Sequence, residues 1–324
     1  MKQLVTGAAG FIGSVVVRKL LEKSVDVVGV DNVNDYYDVR LKRHRIEKLD
    51  GFDNFEFIEM DISDKQSVQD LFESHQFDTV INLAARAGVR YSLVNPYVYV
   101  STNTLGSLHL LEQMKQYEIK KYVLASTSSL YAGQDMPFLE TLPVNEPISP
   151  YAASKKAAEA MAYAYHHLFD IDVSIVRYFT VYGPAGRPDM GYFRFISQID
   201  QGETLTLFGD GTQSRDFTYV DDIADGTIAA ANHRSGFEIF NLGGGNQPFS
   251  INLVIEKIEQ LLGKKANIEY RDFHKADMKS TWANIDKAES VLQWSPKIGL
   301  DEGLKRCVDW YVENKPWSNE LELA

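Results

Sequence analysis

Three glycines spaced three apart, Gly7, Gly10 and Gly13 in VTGAAGFIG, follow a short β-branched run and open a helical stretch headed by Phe11 and Ile12. A strand turning directly into a helix through this spacing restricts the chain to few folds. It needs glycine for a tight bend, and it lets backbone N–H groups and the helix N-terminus approach a pyrophosphate without an intervening Cβ. Alone, the triplet also fits an ordinary strand-to-helix turn. Asp31 shifts the balance, because it ends the next β-branched run eighteen residues after Gly13. A carboxylate there accepts hydrogen bonds from both adenosine ribose hydroxyls and repels a 2′-phosphate, so NAD is expected rather than NADP. Asp61, with Ile62 beside it, ends the third run and is placed to reach the adenine or, equally, to cap the helix that follows. Ala84 and Ala85, after the fourth run, leave room for the cofactor over the sheet edge.

The first half of the chain alternates such runs with helical stretches. Strands are predicted at 3–6, 25–30, 55–60, 79–83, 122–126 and 172–178, and helices at 11–23, 64–75, 98–117 and 151–169. Several of the runs are apolar throughout, as strands buried on both faces are. The pattern predicts an α/β protein with a Rossmann doubly wound parallel sheet. Beyond about residue 180 the rhythm breaks into Gly- and Pro-containing loops, so a dinucleotide-binding domain over 1–180, to which later segments can return, and a smaller nucleotide-sugar-binding lobe over 181–324 are expected.

Composition narrows the function. With 33 Lys and Arg against 45 Asp and Glu, the formal charge of −12 disfavours nucleic acid and anionic membrane surfaces as partners. The lone Cys307 can form neither an internal disulfide nor a multi-cysteine metal site. No run of 18 apolar residues occurs, and Met1-Lys2-Gln3 leads at once into a strand, so a cytoplasmic protein with no membrane span is expected.

Tyr151 and Lys155 stand four apart on a helix introduced by Ser149-Pro150, which puts their side chains on one face. Model tyrosine titrates near ~10; a neighbouring ammonium and a positive nicotinamide both favour phenolate, and Lys155 can also reach the nicotinamide ribose. A surface Tyr and Lys at helical spacing is a common alternative, but their position after the fifth strand of a dinucleotide fold favours chemistry.

VTGAAGFIG, NLAARAGV, STSSLYA, YAASK and RYFTVYGP occur in the order and spacing of the extended short-chain dehydrogenase/reductase superfamily, which the chain resembles over nearly its whole length. The resemblance implies a Thr127/Tyr151/Lys155 triad, with the Thr127 hydroxyl bonding the reacting sugar oxygen. Dehydratases of the superfamily carry Asp and Glu after this Thr, and UDP-glucuronate decarboxylases carry Glu at the second position; here stand Ser128 and Ser129, both expected to contact substrate. DNVNDYYDVRLKR, AGVRYS, RYFTVYGPAGRPDM and GDGTQSRDFTYVDD look like segments of UDP-glucuronate 4-epimerases. That resemblance implies NAD-dependent epimerisation of UDP-glucuronate to UDP-galacturonate through a 4-keto-hexuronate. Thr180 and Arg187 would hold the carboxylate, and Arg90, Arg215 and Asp277 would contact the nucleotide diphosphate or sugar. A homodimer through the helices near 98–117 and 151–169 is implied as well. Ala132, Asn82 and Ala276 depart from the usual Gly, His and Gly, and none removes a group needed for hydride transfer. A decarboxylase, a neutral-sugar 4-epimerase and a catalytically silent NAD-binding regulator are the alternatives.

Other signals are read as structural. The cluster Lys42, Arg43, His44 and Arg45 is expected to be a solvated helix face, and Asp221 and Asp222 to cap a helix and complement its dipole. His166 and His167 lack a third ligand, so no metal is expected. Gly243, Gly244 and Gly245 form a loop.

Overall fold

Leu4 and Val5, adjacent on strand β1 (Lys2–Thr6), belong to separate hydrophobic clusters on opposite faces of the sheet, so β1 is buried from both sides. In the computed structural model, which describes residues 2–273 and 278–322, β1 lies between β2 (Asp26–Asp31) and β4 (Thr79–Asn82). The whole sheet is parallel, seven-stranded and ordered β11-β6-β5-β4-β1-β2-β3, with β3 at Phe55–Glu59, β5 at Lys121–Thr127, β6 at Asp172–Tyr178 and β11 at Phe237–Leu242. Register is fixed by apolar partners such as Leu4 with Val28, Leu4 with Val80 and Ile175 with Ile239. The order reverses between β1 and β4, which opens a crevice beyond the carboxyl ends of these strands.

The six expected strands are present within two residues of their expected ends, because continuous apolar runs mark central parallel strands well. The helices expected at 11–23 and 64–75 agree similarly, as α1 (Phe11–Glu22) and α3 (Lys65–Ser74); α2 (Val39–Glu47) lies between them, and α4 (Val89–Val94), which the sequence does not predict, precedes a composite run. That run joins α5 (Tyr97–Tyr99), a π-helical turn (Val100–Leu105) and α6 (Gly106–Gln116). Helix α7 (Pro150–Phe169) starts with Ser149 accepting from the Ala152 N–H and Pro150 in the first turn. It buries Ala152, Lys155, Glu159 and Ala162 along one face.

The seventh strand, β11, comes from beyond residue 180 and pairs with β6. Helix α9 (Val220–Asn232) also returns to the sheet layer, docking on α1 through Arg18–Asp221 and Lys19–Asp225 ion pairs of 2.7 and 2.9 Å. The remaining C-terminal elements form small two-stranded sheets: β7 (Thr180–Tyr182) with β10 (Phe217–Tyr219), β8 (Thr204–Phe208) with β13 (Asn267–Arg271), and β9 (Ser214–Arg215) with β12 (Phe249–Ser250). Helices α8 (Gly191–Gln201), α10 (Ile251–Leu262) and α12 (Leu300–Glu313) support them, while α11 (Asp286–Leu292) packs on β11 and α9. Val5, Ile81 and Val123 of the large sheet share one continuous core with Ile196, Leu205, Val254 and Leu304, so a broad apolar interface joins the two parts.

Two expectations need correction. Lys42 and Arg45 are not on a solvated face: both are buried, with Arg45 donating to the carbonyls of Ala9, Ala185 and Gly186 and to the Tyr37 hydroxyl. Lys42 donates to Asp31 on the preceding strand, and the carbonyls that hold Arg45 lie far along the chain, out of reach of a local charge pattern. Asp221 and Asp222 stand in the first turn of α9, where they complement its dipole as expected, but neither caps it; Asp222 accepts instead from the Ile298 N–H at 2.9 Å.

Candidate functional site

A cleft of about 1150 Å³ lies between the carboxyl ends of the sheet strands and the C-terminal lobe. Small-ligand pockets commonly run to roughly 1,000 Å³, so this one stands at the large end of that range. Gly7, Gly10, Phe11, Ile12 and Gly13 line one wall, continued by Asp31, Asp61, Ile62, Ala84 and Ala85. The bend there is built for glycine: Gly7 has φ +72°, and a Cβ on Gly13 would lie 2.0 Å from the Gly7 carbonyl oxygen. The same absence of side chains leaves the opening of α1 accessible to an anionic group, which fits a dinucleotide pyrophosphate.

Asp31, at the end of β2, uses Oδ1 to accept from the Val33 N–H at 2.9 Å and the Lys42 ammonium at 3.3 Å. Asp61 accepts from the Ser63 N–H and hydroxyl at 2.8 and 2.7 Å and from Asn32 at 2.7 Å. Burial works to raise the Asp61 carboxyl, but these donors outweigh it and hold the group below its ordinary value. The cap of α3 is Asp64, which accepts from the Gln66 N–H, so of the two roles open to Asp61 the capping one falls to its neighbour.

Further along the cleft stand Thr127, Ser128, Ser129, Tyr151 and Lys155. Thr127 ends β5, and its Oγ1 accepts from the Ser129 N–H at 3.1 Å, which leaves the hydroxyl proton free to be donated. Burial pushes the Tyr151 phenol above its ordinary value, opposed by a hydrogen bond with Thr127 and by the positive charge of Arg187. Lys155 donates to the Ala125 carbonyl at 2.9 Å. Burial brings its ammonium down to about 8, with the Glu159 carboxylate pulling the other way. The charge acting on the phenol in the free protein is therefore that of Arg187, whereas the sequence pattern points to Lys155. Glu159 is itself held by Arg177 through two bonds of 2.9 and 2.8 Å and by the Ser126 hydroxyl at 2.6 Å.

Thr180, Arg187, Arg90 and Arg215 line the side facing the C-terminal lobe. Arg90 lies over the Phe208 ring, 4.2 Å from its centroid, and Arg215 donates to the Ser214 carbonyl at 2.8 Å. Arg187 forms a two-bond pair with Asp189. Asp277 lies outside the described residues. Several cleft residues were given no site role from sequence: Lys42, read as part of a solvated face, and Arg86, Asp189 and Arg194. Arg86 donates to Asn34 at 3.2 Å and lies over Tyr36. Arg194 has a buried Nε with no partner among the described residues. Burial, then the charge of Arg90, lowers its guanidinium from the ordinary value. Arg86 and Arg194 sit in motif-rich segments, and only the fold tells them from surface arginines. Among the described residues no group of three or more His, Cys, Asp and Glu could hold a metal ion. Nor is any helix there long and apolar enough to cross a membrane.

Residues 3–243 match the model of the NAD dependent epimerase/dehydratase family. The chain is 58% identical over 311 residues to a UDP-glucuronate 4-epimerase of Thermodesulfobacterium geofontis, covering 96% of each. It is similar to the crystal structure of UDP-glucuronic acid 4-epimerase from Bacillus cereus in complex with UDP-glucuronic acid and NAD, with TM-score 0.91 and 39% identity over 97% of this chain and 100% of that one. A UDP-glucose 4-epimerase from Thermotoga maritima with UDP-glucose matches with TM-score 0.88 and 32% identity over the same shares.

Proposed function

The chain belongs to the NAD-dependent epimerase/dehydratase family, and from that membership we propose that it interconverts UDP-glucuronate and UDP-galacturonate by inverting the sugar at C4. The observation that carries this reading is the set of groups around Tyr151: Thr127 and Arg187 act on its phenol, while Ser128 and Ser129 stand where elimination would need carboxylates.

NAD, when bound, supplies reversible oxidation at C4. The glycine bend and the α1 N-terminus hold its pyrophosphate, and Asp31 takes the adenosine ribose through the oxygen that Val33 and Lys42 leave open. Lys155 fixes the nicotinamide ribose. Tyr151 removes the C4 hydroxyl proton and later returns it, with Thr127 donating to the same oxygen. The buried Tyr151 phenol, with Thr127 donating to it, would become the better base once a cation such as the bound cofactor's nicotinamide stood nearby. Thr180 and Arg187 receive the C6 carboxylate, and Arg90 and Arg215 the diphosphate.

The proposal includes a division of labour between residues 1–180, with β11 returned to them, and the sugar-nucleotide lobe. It also includes a homodimer and a cytoplasmic setting. The dimer is supported by apolar side chains left in solvent on α4 through the π-helical turn, Val94 at 78% and Tyr97 at 82% exposure, and by Tyr163 and Leu168 on α7. The single cysteine, buried in α12, supports a reducing compartment.

Incubation with UDP-glucuronate, followed by proton NMR of the nucleotide sugar, tests the reading. UDP-galacturonate is the expected product. A UDP-pentose would make the protein a decarboxylase. No conversion, with NAD bound, would leave it a silent NAD-binding protein.

A further inference from the structure

Asp189, two residues beyond Arg187, takes the Arg187 Nε–H on Oδ1 at 2.9 Å and the Nη2–H on Oδ2 at 2.5 Å. Both side chains are largely buried in the cleft wall. A guanidinium offers two parallel-bond edges, Nε with Nη2 and Nη1 with Nη2. Here the first is filled by an internal carboxylate. Tyr36 restricts the group further, its ring centroid 5.8 Å from the Arg187 Cζ. On the reading that the sugar is a uronate, we propose that Asp189 is a positioning residue: it fixes Arg187 so that one fork, Nη1 with Nη2, meets the substrate carboxylate, and thereby protects the 4-keto intermediate from losing CO2.

The chemistry makes the direction of that fork matter. Oxidation at C4 gives a ketone β to the C6 carboxylate. If the C5–C6 bond stands perpendicular to the carbonyl plane, its electron pair flows into the C4 carbonyl. CO2 then departs, and the resulting enolate takes a solvent proton at C5. With that bond near the carbonyl plane, overlap is poor and the acid survives. A carboxylate gripped by a fixed fork keeps one orientation, whereas an arginine on a long flexible side chain can follow the carboxylate through both. Pairing with Asp189 also makes the combined charge of the two side chains zero. The fork then acts through direction more than through bulk attraction.

The test uses the full chain with bound NAD and UDP-glucuronate labelled at C6, counting released CO2 against UDP-galacturonate. Wild type is measured first: failure to form UDP-galacturonate would overturn the functional reading, which is a different result from failure of the Asp189 assignment. Asp189→Ala should raise the CO2 fraction about tenfold or more, in line with the sensitivity of positioned groups to displacements of about 1 Å. Asp189→Asn, nearly isosteric, should raise it less, and Asp189→Glu should restore most of the wild-type ratio. Melting temperature and NAD content establish that each variant is folded; if the Ala variant is not, the Asn and Glu pair carries the comparison. In an Arg187→Lys background, where no fork exists, Asp189→Asn should move the ratio by less than about twofold. An unchanged ratio in folded Asn and Ala variants overturns the assignment, as does an equal effect in the Lys background.

Discussion

The Lys155 ammonium donates to the main-chain carbonyl of Ala125, and among the described residues no carboxylate is hydrogen-bonded to it. Glu159, one turn further along the helix, is taken up by Arg177 and Ser126. Burial with so little compensation lowers the group to about 8. Between that value and the ordinary lysine value the unfolded chain binds more protons than the folded one, so this group makes stability rise with pH from about 8 to about 10.5. Below about 8 the folded protein carries the full cost of a buried charge. Lys155→Met should therefore stabilise the ligand-free protein at pH 7 by roughly 3 kcal/mol, since each tenfold change in proton affinity is worth ~1.36 kcal/mol. The advantage should fade by about pH 10.5. Thermal melts of both proteins across this alkaline range and at neutral pH check it, and a constant difference would refute it.

Tyr151→Phe should lower kcat by about 10²–10⁴-fold, the range lost with a general base, while NAD stays bound. Cofactor content after desalting and turnover of UDP-glucuronate are the two measurements. Retention of more than about a hundredth of wild-type kcat would remove Tyr151 from the role.

Replacing Asp31 with Ala should weaken NAD and improve NADP. The substitution removes the ribose acceptor and leaves the buried Lys42 ammonium without its carboxylate partner, and a 2′-phosphate can then supply the missing negative charge. Fluorescence titration with both cofactors gives the ratio. Unchanged affinities would put the ribose contact elsewhere.

Glu159→Gln should destabilise the protein by about 3–5 kcal/mol, because it leaves the Arg177 guanidinium buried without its charge partner. Chemical denaturation of the ligand-free protein measures the loss. A change under ~1 kcal/mol would mean that Tyr131, which accepts from Arg177 at 2.8 Å, is sufficient company for that cation.

Val94→Glu combined with Tyr97→Glu places charge in the exposed apolar strip without touching the core. Light scattering after size exclusion should show a dimer for wild type and a monomer for the variant. A monomeric wild type would end the dimer proposal.

The sequence made the central sheet legible because strands buried on both faces have no room for polar interruption, and Gly7, Gly13 and Asp31 report local backbone and register. Tyr151 and Lys155 were legible because helical spacing puts them on one face. Lys42 and Arg45 were not: a charged residue looks solvated unless its distant acceptors are known, and those of Arg45 include the carbonyls of Ala185 and Gly186. Asp189 escaped for the opposite reason. It lies so close to Arg187 in sequence that the pair reads as surface charge, and only burial in the cleft wall gives it a role. The π-helical turn at Val100–Leu105 carries no composition signal either; its Asn103 bonds both the Arg86 backbone and the Ser154 hydroxyl, partners that lie 17 and 51 residues away.

Because β11 is the outer neighbour of β6, the order of synthesis matters. When β6 has left the ribosome, one row of its backbone N–H and C=O groups has no strand to meet until 237–242 emerges, after most of the C-terminal lobe's first half. An open strand edge is a template for pairing with another nascent chain, and long-range parallel pairing is slow to form. Protein made from a message truncated soon after residue 180 would thus be aggregation-prone, its six strands ending on the uncovered edge of β6, whereas one extending past 242 would have β6 paired on both sides.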